Sequence, residues 1–215
     1  MTIYRPGAYV YYPGSPGVRV VQPGGEAAEP LIYDTFTDAD DTLLEAHAPD
    51  INIPGNPWVS GNKWKIVGNT GRLVDNTFYS TELLINTGRT GYRVTAKIVL
   101  ASAPSANIRG IVVRNDGANN GVPNASQFKA GLLYNANRFE IQEGSSTVRA
   151  TAAFVVTPGV AYTIVVECVG STISATVNGG VPISYALATE VGRSYIGTTF
   201  RYALDYIDDL LVVAL

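Results

Sequence analysis

The chain has 215 residues, of which 46% are hydrophobic and only 15% charged, with a formal net charge of -3. That length suits one domain of ordinary size, and the 11 Arg and 4 Lys are scattered singly, which excludes a nucleic-acid binder. Cys168 and His47 are the only residues of their kinds, which excludes an intrachain disulfide, a histidine triad and a multi-histidine metal site within one chain.

The first 25 residues read as a docking arm. Four Pro-Gly dipeptides punctuate it, at 6–7, 13–14, 16–17 and 23–24. Pro presets φ and Gly tolerates positive φ, so each favours a turn. Between them lie two short apolar runs, Ala8-Tyr-Val-Tyr-Tyr12 and Val18-Arg-Val-Val-Gln22, of the β-branched and aromatic types that suit strands. The arm is too small to bury its own side chains. Tyr4, Arg5, Tyr9, Val10, Tyr11, Tyr12, Val18, Arg19, Val20 and Val21 are therefore its docking residues. Arg5 and Arg19 with no acid suit an acidic partner surface. Either the arm adds to another chain or it folds back on its own body as a hairpin. Pro and Gly interrupt the N-terminus at once, so no signal peptide is read there. No run approaches the length of a membrane span, so no membrane insertion is expected.

Residues 26–30 read as a linker, and 31–215 as the body. Short β-like runs follow one another, separated by Gly, Asn and Ser. They begin at 31–36, 64–67, 72–74 and 83–86. In 92–100, Tyr92, Val94, Ala96, Ile98 and Leu100 alternate with Arg93, Thr95 and Lys97, as in a strand with one wet face. Runs at 108–114, 127–134, 138–142, 147–156, 162–169, 172–177, 194–199 and 206–214 complete the series. Asn135-Ala-Asn137, Gly170-Ser171 and Asn178-Gly179-Gly180 are the turn signals between them. Single helical turns are expected at most, at 42–48 and 186–191. The pattern is an all-β sandwich or barrel.

Several stretches resemble the concanavalin A-like lectin/glucanase superfamily in its laminin-G-like branch. They are Asp34-Thr-Phe36 with its acidic continuation, Trp64-Lys-Ile66 with Gly71-Arg-Leu73, and Gly110 to Asp116. Tyr162 to Glu167 with Ser171 to Gly179, Ile196-Gly197, and the closing Tyr206 to Val213 complete the set. The resemblance implies a jelly-roll β-sandwich of two antiparallel sheets, here with an extended N-terminal arm. Fold does not fix function. A jelly roll with such an arm looks like a non-enzymatic phage virion structural protein: a capsid decoration protein, head fibre or tail component. Its partners would be other virion proteins or copies of itself in a homo-oligomer or larger assembly, put together in the host cytoplasm. The alternative is an adhesion module that binds host-surface glycans.

Three chemistries are weighed in the body. Retaining glycoside hydrolysis needs two carboxylates about 5 Å apart, and Glu140 and Glu143 fall on opposite faces of a strand end. No cofactor is required, but structural calcium is a candidate. Six acids lie between Asp34 and Asp50 without a Lys or Arg, and Asp38, Asp40 and Asp41 are the candidate ligands in either a metal site or a solvated acidic loop. For carbohydrate, Trp58 in a Pro/Gly loop is the expected exposed ring. Arg114, Asn115, Asp116, Asn119, Asn120 and Tyr134 are the candidate polar and aromatic partners. Trp64 is expected in the core.

Overall fold

The computed structural model describes residues 9–10, 19–21, 27–74, 81–100, 107–117, 127–188 and 192–215. At the N-terminus, β1 (Tyr9–Val10), β2 (Arg19–Val21) and β3 (Ala27–Ala28) form a small antiparallel sheet in that order. Tyr9 pairs with Val20 and Val10 with Arg19, so the centres of the two apolar runs meet each other as a hairpin. Tyr4, Arg5, Tyr11, Tyr12 and Val18 lie outside the described residues. The 26–30 segment, read as a linker, carries β3, and Pro30 opens the next strand. Pro at the first residue of a strand is tolerated because it withholds only one N–H.

The body is built from β4 (Pro30–Asp34), β5 (Ile51–Asn52), β6 (Trp64–Ile66), β7 (Gly71–Leu73), β8 (Thr81–Asn86) and β9 (Tyr92–Val99). They are followed by β10 (Arg109–Asn115), β11 (Phe128–Leu133), β12 (Arg138–Glu143), β13 (Thr147–Ala153) and β14 (Ala161–Val169). β15 (Thr172–Val177), β16 (Ile183–Ala186), β17 (Tyr195–Phe200) and β18 (Tyr206–Ala214) finish the chain. All pairings are antiparallel. One sheet has six strands in the order β13-β12-β11-β10-β17-β8; the other runs β16-β15-β14-β9-β18-β4-β5, with β7 beside β18 and β6 beside β7. The chain is a jelly-roll β-sandwich of two antiparallel sheets.

Period-two alternation builds the core. Tyr92, Val94, Ala96 and Ile98 of β9 face inward with Tyr162, Ile164, Val166 and Cys168 of β14. Phe128, Ala130 and Leu132 of β11 meet them from the six-stranded sheet, with Phe139 and Ile141 of β12. Trp64 is fully buried against Phe200, with ring centroids 5.3 Å apart. Burial pushes the Cys168 thiol up to about 11, against the charge of Arg114, so it packs as an inert apolar group. The turns fall at the polar breaks. Asn137, at φ 46, closes the short 3-10 turn between β11 and β12, and Asn178 and Gly179 (φ 50 and 67) reverse the chain after β15. Where helical turns were expected, 42–48 holds consecutive tight turns, because Thr42 and Leu44 are bonded to β6 rather than along a helix. The start of 186–191 belongs to β16, and 189–191 lie outside the described residues.

Candidate functional site

The inner residues of the six-stranded sheet fix what its outer face carries. Leu83 and Ile85 of β8 belong to the core, as do the β11 and β12 residues named above and Ile196 and Phe200 of β17. Their neighbours therefore point away from the second sheet: Glu82 and Leu84, Lys129, Glu140 and Gln142, Tyr195 and Thr199. These are not ordinary surface residues. Glu82 and Glu140 are 0% exposed, Lys129 2% and Gln142 6%. Desolvating a charged group costs several kcal/mol, and no packing between the sheets requires it on this face.

The floor is glycine. Glu140 lies opposite Gly131, Gly131 opposite Gly110, Gly110 opposite Thr199, and Thr199 opposite Glu82. One cross-strand row thus runs from carboxylate to carboxylate over two glycines. A Cβ at Gly110 would press on the Ala130 carbonyl oxygen, and one at Gly131 on that of Arg109. Both obstacles are backbone, so glycine alone fits the strand approach there.

At one end Glu82 gathers donors. Gln127 Nε2 donates to its Oε1 at 2.5 Å and Asn115 Nδ2 to its Oε2 at 3.2 Å. Asn115 Nδ2 also lies 2.5 Å from Gln127 Oε1. Lys129 Nζ stands 3.9 Å from Glu82 Oε1. Burial pushes the Glu82 carboxyl up to about 7, against the Lys129 charge and the two amides, with Asp116 adding to the rise. Burial likewise lowers the Lys129 pKa, against the Glu82 charge. At the other end Gln142 Nε2 donates to Glu140 Oε2 at 2.8 Å.

The residues expected to bind sugar divide. Asn115 joins this cluster, and the exposed Asp116 sits beside it. Trp58 does not: it is 1% exposed, not a solvent-facing ring. Its indole N–H donates to Asp34 Oδ2 at 2.8 Å and its ring packs on Phe36, because the following residue, Val59, fastens the loop to Leu84 of β8. Arg114 is also turned away. The strand bulges between Val112 and Asn115, Arg114 takes φ 51, and its guanidinium reaches inward to the Gly170 carbonyl. Tyr134 packs partly buried against the core, and Asn119 and Asn120 lie outside the described residues. Glu143 is tied to Arg149 at 2.7 Å and has no part in the cluster.

The acidic loop is occupied by the protein itself. Asp34 accepts from Phe36 N, Trp58 Nε1 and His47 Nε2. Asp38 accepts from Ala39 N and faces His47 Nδ1 at 3.3 Å. Asp40 accepts from Gly68 N at 2.7 Å, and Asp41 pairs with Lys65 at 2.6 Å. Among the described residues no group of three acids, histidines or cysteines is placed to hold a metal. Asp38, Asp40 and Asp41 do not converge, because each is drawn to a different partner. Burial opposes a charge on His47, but Asp34 and then Asp38 outweigh it, so its pKa is raised.

Glu82, Gln127, Lys129 and Gln142 went unread in the sequence, and Glu140 was weighed only as a hydrolytic carboxylate. Their signal was there: each alternates with core residues, in Gln127-Phe-Lys-Ala130 and Phe139-Glu-Ile-Gln142. What a linear pattern lacks is that β8, β10, β11 and β12 share one sheet.

No protein-family model matches the sequence, and no curated protein does. Solved structures match the fold. A carbohydrate-binding module, CBM66 from Bacillus subtilis, aligns with TM-score 0.57 at 12% identity, over 73% of this chain and 95% of that one. A protein of unknown function with a galectin-like fold, also from Bacillus subtilis, aligns with TM-score 0.56 at 11% identity, over 85% and 98%. Trypanosoma rangeli sialidase in complex with the inhibitor DANA aligns with TM-score 0.57 at 10% identity, over 86% of this chain but 30% of that protein. These likenesses show the fold alone: the chain is a jelly-roll β-sandwich.

Proposed function

We propose that the chain is a non-catalytic carbohydrate-binding module whose ligand is held on the outer face of the six-stranded sheet. One observation carries this reading: a buried row of carboxylates, amides and one ammonium over a glycine floor, on the face that packs no second sheet. Sugars offer hydroxyls that donate and accept, and such a row supplies both complements. The likeness in fold to a carbohydrate-binding module supports the same assignment. The test is a glycan array and polysaccharide pull-down with the full chain, beside an Asn115→Ala, Gln127→Ala double variant. Retention that weakens in the variant supports the reading, and no retention on any glycan overturns it. Release of reducing sugar from a bound polysaccharide would overturn the non-catalytic part.

A second reading is favoured by the paired strands β1 and β2. There the N-terminal segment anchors the sandwich to a larger particle, such as a virion, through the apolar runs expected to dock. Deleting residues 1–25 should leave glycan binding intact and abolish particle incorporation; incorporation of the truncated chain would overturn the anchoring role.

A further inference from the structure

Within that site, two buried groups of opposite charge have hydrogen-bonding capacity that the described protein does not use. Lys129 Nζ makes no hydrogen bond among the described residues; its one charged neighbour is Glu82, at 3.9 Å. Glu140 Oε1 has no hydrogen-bond partner. Arg138 Nε forms an ion pair with it at 2.9 Å, without hydrogen-bond alignment. Leaving a buried polar group without a partner costs about 1–3 kcal/mol, more when it is charged. Core packing does not ask for either group, since both point away from the second sheet.

Their placement is complementary. Lys129 is opposite Gln142 and Glu140 is opposite Gly131, so the two are diagonal neighbours on adjacent strands of one face, with Cα atoms roughly 7–8 Å apart. Gly131 and Gly110 place no side chain of their own beside Glu140. An ammonium only donates and an ionised carboxylate only accepts. The group that completes both must therefore accept on one side and donate on the other. A hydroxyl does each, and two on adjacent carbons do both at once.

Charge narrows the class. On this face the carboxylates of Glu82 and Glu140 are matched by Lys129 and Arg138. A uronic acid would bring a third anion beside two carboxylates, and a cationic sugar would meet the two bases. Aromatic stacking contributes little: Tyr195 is the aromatic ring that alternation puts on this face among the described residues, and it lies at the edge against Gly117.

We infer that the site takes a neutral sugar through two vicinal hydroxyls, one accepting from Lys129 Nζ and the other donating to Glu140 Oε1. The inference rests on the glycan-binding reading and names the class of glycan within it. The experiment is calorimetric titration of the full chain with neutral polysaccharides (glucan, galactan, mannan and fructan) and with the acidic polymers polygalacturonate and alginate. Each bound neutral polymer is repeated after periodate cleavage of its vicinal diols and borohydride reduction. Lys129→Met and Glu140→Gln are titrated in parallel. The expected result is binding of at least one neutral polymer, loss of that binding after periodate, and at least a tenfold weaker affinity in each variant. The periodate comparison stands even if a variant fails to fold. Preference for an acidic polymer, undiminished binding after periodate, or folded variants that bind like the parent would each overturn the inference and leave the glycan reading standing. Failure to bind every polymer, neutral and acidic, would overturn both.

Discussion

His47 is held by two carboxylates, and a neutral imidazole can serve only one of them. Nε2 lies 2.9 Å from Asp34 and Nδ1 3.3 Å from Asp38. Both contacts are hydrogen bonds only when both nitrogens carry protons. The folded pKa is raised above the unfolded value of 6.5. The stabilisation is therefore complete below about pH 6.5 and lost as pH rises through the folded value. Urea unfolding should show His47→Asn destabilised by about 1 kcal/mol at pH 5.5, with the gap to the parent closing by pH 8.5. Because His47 is the only histidine, its ring proton signal reports the folded pKa without assignment, and a value below 6.5 would sink the account. Glu82 runs the same way at a lower pH. Its carboxyl is raised to about 7 from 4.5, so the folded chain keeps a proton that the unfolded chain has released. Stability falls as pH rises across that window, by an amount on the order of 3 kcal/mol. Glu82→Gln does not ionise, so its stability relative to the parent should grow between pH 4.5 and 7.5. Asp38, Asp40 and Asp41 are engaged by His47, Gly68 and Lys65, so calcium and EDTA should both leave the melting temperature where it is.

At the level of strands, the glycine floor is the feature most exposed to test. Gly110→Ala or Gly131→Ala would drive a methyl into the backbone of the neighbouring strand. Overpacking of this kind costs roughly 1–3 kcal/mol or more, and both variants should unfold at markedly lower urea while Gly159→Ala, with open space around it, suffers only from its positive φ. The strands themselves were legible. Tyr92 to Val99, Tyr162 to Val169 and Thr172 to Val177 could be read from alternation and turn residues, because local packing on a pleated surface sets those patterns. The site was legible only in fragments. Asn115 was read as part of a polar loop after a strand and is the buried last residue of β10, and the bulge that turns Arg114 inward leaves no mark in Val-Val-Arg-Asn. Trp58 sits in a Pro/Gly loop that reads as exposed, yet one hydrogen bond to Asp34, 24 residues away, buries it. Such effects depend on which strands are neighbours, and sequence order does not state that.

Across the whole molecule, the loop that carries Trp58 and Val59 is fastened to β8, the strand that carries Glu82. The loop meets the same sheet at its margin. Val59 N–H donates to the Leu84 carbonyl at 2.7 Å and Leu84 N–H to Val59 at 2.9 Å, and β8 is the terminal strand of its sheet. An open strand margin offers unpaired N–H and C=O groups to any passing copy. Those two hydrogen bonds, with Trp58 anchored one residue before them, therefore act as a guard against self-association. Substituting Trp58 with Ala, which frees the loop without touching β8, should therefore raise polymerisation through strand addition on prolonged incubation, read by light scattering against the parent.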